Sequence, residues 1–189
     1  MKIIIFTILL SISICYEQNS YTGILKYSNN NLEFSGKGVE IFGSNANIIN
    51  PGSYLAIGIC SEGRINIISD SVSLYLQNLE LSSSISSPIF VERNLENIQI
   101  IAIENVVLND YEEFGTTGGE CSVIKIKKNS KVVFRNKDKF LLNGKCKNVI
   151  KGASKTTISF DSSNGEYIIN GYQNGIVSEN LLTFLFKIE

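Results

Sequence analysis

Four carboxylates crowd one short segment, Asp110, Glu112, Glu113 and Glu120, with Tyr111 among them. Oxygen-rich clusters of this kind suit a hard cation, so these residues form the chain's candidate calcium site, against the plainer reading of a solvated acidic loop. Immediately downstream the charge reverses. Residues 121–155 hold eleven Lys and Arg against Asp138 alone, whereas residues 16–120 hold four against thirteen Asp and Glu. Lys125, Lys127, Lys131 and Arg135 occupy apparent strand positions in the basic segment, where stacked like charges attract a polyanion. Tyr167 and Tyr172, whose rings can stack on sugar faces, complete the candidate ligand-binding set. The plainer alternatives are solubilising cover for the lysines and corner packing for the tyrosines.

What the chain lacks narrows the chemistry. His is absent, which removes serine–histidine and cysteine–histidine nucleophiles and the histidine-bearing zinc sites. A lyase-like reaction remains, in which calcium neutralises a uronate and Arg135 or a lysine abstracts the proton. No motif ties the acidic cluster to a basic residue, so no catalytic residue is assigned and the chain reads as a binder before an enzyme. Trp is also absent, leaving tyrosine as the stacking platform. No nucleic-acid motif accompanies the basic segment, so an acidic glycan is the expected partner and nucleic acid is not.

The N-terminus sets the compartment. Lys2 precedes an apolar run from Ile3 to Ile14, and Ser13 and Cys15 stand at −3 and −1 of a cut before Tyr16. This pattern predicts a secretory signal peptide over residues 1–15, since the run falls short of the roughly 20 residues that span a bilayer. No later segment approaches that length, so no transmembrane segment is expected in the mature chain, and the expected location is secreted or surface-bound. Cys60, Cys121 and Cys146 remain after processing; an oxidising compartment favours a disulfide and leaves one thiol over.

The elements that must position these residues are strands. Short apolar runs such as INIIS at 65–69, IQIIAI at 98–103, KVVFR at 131–135 and TTISF at 156–160 are separated by Asn, Gly, Ser and Asp, which are turn formers. No later stretch has the period of an amphipathic helix. The runs recur. Leu81 and Leu108 lie 27 residues apart, as do Leu142 and Ile169, and Ile124, Ile150 and Ile176 are spaced by 26 and 26. The gap of 34 between Leu108 and Leu142 contains the acidic segment Asp110 to Glu120. A fixed period of strands with polar corners predicts an all-β, single-stranded parallel β-helix of about four to six coils. An antiparallel sandwich or jelly roll is the competing fold. Within Ser122–Lys127 apolar and charged residues alternate, giving one buried and one wet face. Asn109, Asn143 and Asn170 recur at one point of the repeat and read as turn residues forming a partial asparagine stack. Cys121 and Cys146 are 25 residues apart, nearly one turn; strand spacing of roughly 4.8 Å suits the Cα separation of about 4.4–6.8 Å that a disulfide accepts. They are the expected pair. The expected organisation is an N-terminal segment or cap over 16–38, the helix over 39–180 and a C-terminal strand or cap over 181–189. The apolar LLTFLFKIE at that end is either a cap or an open coil inviting end-to-end self-association.

From Ser71 to Ile176 the chain resembles a family of carbohydrate-binding domains of secreted bacterial and protist proteins. The resemblance is carried by SVSLYLQNLELSSSISSPIFV, IENVVLND, CSVIKIKKNSKVVF and the NVIKG and ISF segments. It implies a right-handed parallel β-helix similar to that of pectate lyases, binding of acidic polysaccharide and retention of calcium. No calcium-ligand motif of that family maps onto particular positions here. A structural or adhesive extracellular surface or coat protein that binds other proteins is the alternative role.

Overall fold

The computed structural model describes residues 20–111, 122–145, 148–161 and 165–185. They form strands alone, without a helix, so none is long and apolar enough to cross a membrane as a helix. Two sheets share the strands, and the chain alternates between them. One sheet contains β4 (Asn45–Ile48), β6 (Arg64–Ile67), β8 (Ile89–Val91), β10 (Ser122–Ile126), β13 (Asn148–Gly152) and β16 (Asn174–Ser178), each parallel to the next. The other contains β1 (Gly23–Ser28), β5 (Gly52–Cys60), β7 (Val72–Ser83) and β9 (Ile98–Asp110), also parallel. Beyond β9 this sheet divides. The first half of β9 pairs with β11 (Lys131–Asn136) and the second half with β12 (Lys139–Gly144). These continue into β14 (Thr157–Asp161) and β15 (Glu166–Gly171), and β17 (Leu181–Leu185) lies outside β14.

The repeat read from the sequence is the register of the sheets. Leu81 stands opposite Leu108, Leu108 opposite Leu142 and Leu142 opposite Ile169. In the other sheet Ile124 faces Ile150, and Ile150 faces Ile176. All but Ile169 and Ile176 are fully buried, and those two pack on the core from the last repeat. Burial alternates along the strands, as in β11, where Val132, Phe134 and Asn136 are buried while Lys131 and Arg135 are exposed, because successive side chains point to opposite faces. Phe134, Phe160 and Phe184 continue the core as a column, with near-parallel rings at centroid distances of 5.0 and 5.2 Å.

Corners are made by asparagine. Asn78, Asn94, Asn97, Asn105 and Asn129 all have positive φ, between 44° and 63°, a region that Asn tolerates better than other non-glycine residues. Asn78 and Asn105 bend β7 and β9 midway, and the Asn105 amide donates to Asn78 Oδ1 at 3.1 Å. Asn129 likewise donates to Asn94 at 2.9 Å. The predicted stack exists and is longer than expected. Asn170 donates to Asn143 at 2.9 Å, Asn143 to Asn109 at 2.9 Å, and Asn109 to Ser82 at 3.0 Å.

At the N-terminal end the chain folds back. β2 (Asn31–Gly36) runs antiparallel to β1, and β3 (Val39–Phe42) antiparallel to β4. Asn29 and Asn30, with φ of 48° and 65°, supply the paired left-handed residues that a tight hairpin needs. The expected boundary at residue 39 therefore falls between the two antiparallel strands, while β1 already joins the parallel sheet. The signal segment, Cys121 and Cys146 lie outside the described residues. Cys60 is buried and bonds no other cysteine among the described residues.

Candidate functional site

The basic residues do not gather on one face. Lys125 projects from β10, opposite Phe90 of β8 and Lys151 of β13. Lys127 follows the same strand, its Nζ 5.2 Å from the centroid of the Phe90 ring. Lys131 and Arg135 belong to β11 in the other sheet, and both have acidic partners. Lys131 Nζ lies 2.9 Å from Glu96, and Arg135 Nε 3.3 Å from Asp161, while Arg135 also donates to Gln99 Oε1 at 3.0 Å. Exposed ion pairs of this kind are worth at most about 1 kcal/mol, so a polyanion can compete for them.

The two tyrosines part company. Tyr167 packs inward against Phe140 and, edge-on at 5.2 Å, against Phe160. Its hydroxyl donates to the Asp161 carbonyl at 3.4 Å, and burial, helped by Asp161, pushes its pKa well above the usual tyrosine range. Tyr172 is 71 % exposed. It walls a shallow groove of about 750 Å³ together with Asn143, Lys145, Ile169 and Asn170. The groove follows from the repeat: Asn143–Gly144 and Asn170–Gly171 stand opposite one another on β12 and β15. Lys145 reaches it from the end of β12, with its Nζ 4.6 Å from the Tyr111 ring.

A second groove, of about 800 Å³, opens on the other sheet near the N-terminal end. Arg64 and Asn66 on β6 line its floor, Ser84 and Ser86 one side, and Phe42 and Ile85 its rim. The Arg64 guanidinium lies 4.3 Å from the Phe90 centroid, so Phe90 has two cations near its ring, Arg64 and Lys127. Asn66 donates to Asn47 Oδ1 at 2.7 Å. Sequence reasoning passed over this groove. Its one available signal was that Arg64 is the sole Lys or Arg between Lys37 and Arg93.

Of the candidate calcium ligands, Glu112, Glu113 and Glu120 lie outside the described residues. Asp110 ends β9, fully buried, and its backbone carbonyl accepts from Lys145 N at 3.1 Å. Among the described residues no three His, Cys, Asp or Glu come together as a metal site. Compared with protein-family models, curated proteins and solved structures, the chain finds no match in any of the three.

Proposed function

We propose that this chain is a secreted, non-catalytic carbohydrate-binding protein that recognises an acidic polysaccharide. Its two sheets of stacked parallel strands are then the walls of a right-handed parallel β-helix of four to six coils. The observation that carries the reading is the Tyr172 groove. An exposed aromatic ring, a lysine and the outer amides of an asparagine ladder converge there on the basic half of the chain. Aromatic faces, amides and a cation are the groups that a charged sugar uses, through its C–H face, its hydroxyls and its carboxylate. Regular strand spacing repeats the outer surface, which suits a polymer engaged at several weak contacts.

Affinity gels cast with a uronate polymer and with a neutral one, each with and without calcium, test this. Retention by the uronate gel is expected, falling with salt because exposed charges are screened beyond about 8 Å at physiological ionic strength. Tyr172→Ala with Lys145→Gln is expected to weaken it about tenfold or more. Joint replacement of Lys127, Lys131 and Arg135 by Gln is expected to cost less, because Lys131 and Arg135 are engaged with Glu96 and Asp161. Retention by neutral polymer alone, or uronate retention indifferent to Tyr172 and Lys145, overturns the reading.

A structural or adhesive role is favoured by one feature. β17 exposes Leu181, Leu182 and Phe184 on a strand that, among the described residues, pairs with β14 alone, and such edges invite strand addition. Sedimentation that shows concentration-dependent assembly, with no glycan retained, selects that role.

A further inference from the structure

β9, β12 and β15 end in step, and so do the residues that follow them. The backbone ladder runs one residue past each strand. Tyr111 N donates to the Ser83 carbonyl at 2.8 Å, Lys145 N to that of Asp110 at 3.1 Å and Tyr172 N to that of Gly144 at 3.2 Å. Tyr111, Lys145 and Tyr172 therefore form a column on three consecutive repeats, spaced by about 4.8 Å. The column borders the asparagine ladder, for Lys145 and Tyr172 share a groove with Asn143 and Asn170. It is open to solvent: Tyr111 is 41 % exposed and Tyr172 71 %, with Lys145 exposed between them. The ladder does not use up its amides. A primary amide has two N–H groups and two lone pairs, and each link takes one of each. Asn143 and Asn170 thus keep an N–H for an outside acceptor, whereas Asn109 is buried and offers nothing outward.

We infer that this column is a three-unit track, on which an acidic polysaccharide lies across the strands with one pyranose unit per repeat. The inference rests on the Tyr172 groove proposed above and extends it by a direction and by one subsite, at Tyr111. The repeat spacing is close to the advance of one unit along an extended sugar chain, so successive units meet successive repeats in register. The unit over Tyr172 stacks on the ring, and its hydroxyl accepts from Asn170. The middle unit sets its carboxylate on Lys145 and a hydroxyl on Asn143. The unit over Tyr111 is held by stacking alone. Lys145 Nζ lies 4.6 Å from the Tyr111 centroid, which occupies one face of that ring. An exposed cation–π contact is weaker than a charge-assisted hydrogen bond, so a carboxylate draws the ammonium to itself. The track stops at three. Ser83 stands opposite Asp110, so Ser84 is the next residue in the column. It has no ring, and its N–H is held by the Glu62 carboxylate at 3.0 and 3.2 Å, which repels a fourth acidic unit. On the other side β15 pairs, among the described residues, with β12 alone.

The test is calorimetry on the full chain with galacturonate oligomers of increasing length and with the fully methyl-esterified trimer. Affinity is expected to climb at each step up to the trimer, and beyond it to gain only the statistical factor for extra registers. Tyr111→Ala is expected to weaken the trimer about three- to tenfold and to leave the dimer, which fills the Lys145 and Tyr172 positions, unchanged. Tyr111→Phe keeps both. A general disturbance of the fold would weaken dimer and trimer alike, so the split between them reads the subsite itself. The esterified trimer is expected to bind about tenfold more weakly than the acid, and Lys145→Gln to remove that difference. Affinity that keeps climbing steeply past the trimer, or equal losses for dimer and trimer in Tyr111→Ala, overturns the track; uronate binding that still depends on Tyr172 and Lys145 then leaves the polysaccharide reading intact. Acidic and esterified trimers bound alike overturn the placing of the carboxylate on Lys145. No uronate bound by the unmodified chain overturns both proposals together.

Discussion

Tyr27 is 2 % exposed, and its hydroxyl meets no hydrogen-bond partner among the described residues. Its ring belongs to the core, so the oxygen is a cost that packing tolerates. Tyr27→Phe deletes that oxygen and nothing else, and it is expected to raise stability at neutral pH by about 1 kcal/mol, read from urea denaturation. Burial, reinforced by Cys60, lifts the Tyr27 pKa far above its ordinary value of 10.0. A folded-state pKa above the unfolded one gives stability that is intact below the unfolded value and lost as pH climbs beyond it. The advantage of Tyr27→Phe should therefore widen above about pH 10, and no widening there contradicts the buried setting of this hydroxyl. At this scale the sequence was least legible. Tyr167 and Tyr172 looked alike as residues, yet one completes an aromatic core and the other faces solvent. The choice depends on where the strand ends: Tyr167 falls within β15, at a position that packs on the core, whereas Tyr172 stands in the turn between β15 and β16, and a shift of one or two residues in that boundary reverses the roles.

Strands and corners were far more legible, because each repeat states the same pattern again. Leu81, Leu108, Leu142 and Ile169 were placed in vertical relation from spacing alone, and the register puts them opposite one another. The division of the long sheet was not foreseen. β7 and β9 run through a bend at Asn78 and Asn105, whereas the next repeat has Lys137 and Asp138 between β11 and β12, and no sequence period distinguishes a bent strand from two short ones. The asparagine ladder supplies the element-scale prediction. Asn143 accepts from Asn170 and donates to the buried Asn109, so it is the central link. Asn143→Ala breaks both bonds and strands a buried acceptor; its expected cost is about 2 kcal/mol, against less than about 1 kcal/mol for Asn170→Ala at the exposed end. Equal losses in chemical denaturation would show that the amides are corner formers only, without coupling between repeats.

The two ends of the whole molecule differ. At the N-terminal end the chain doubles back, and Asn30 Oδ1 accepts from the Ser61 and Glu62 amides at 2.8 and 3.1 Å. That side chain ties the β1–β2 hairpin to the turn after β5. At the other end β15 and β16 are only half-buried, and β17 leaves Leu181, Leu182 and Phe184 exposed. A stack whose repeats touch only their neighbours has stability that is a sum of local and nearest-neighbour terms. Protection from exchange should therefore grade along it instead of being uniform. Amides of β7 and β9, flanked on both sides, are expected to exchange only on global opening, and those of β15, β16 and β17 to exchange first. Phe184→Ala makes the gradient testable, because it removes the outer ring of the Phe134–Phe160–Phe184 column. Hydrogen-exchange mass spectrometry should show β14 losing protection by about tenfold or more while β5 and β7 keep theirs. A uniform fall across all strands would instead make the fold one cooperative unit, in which the terminal repeat is as tightly coupled as the centre.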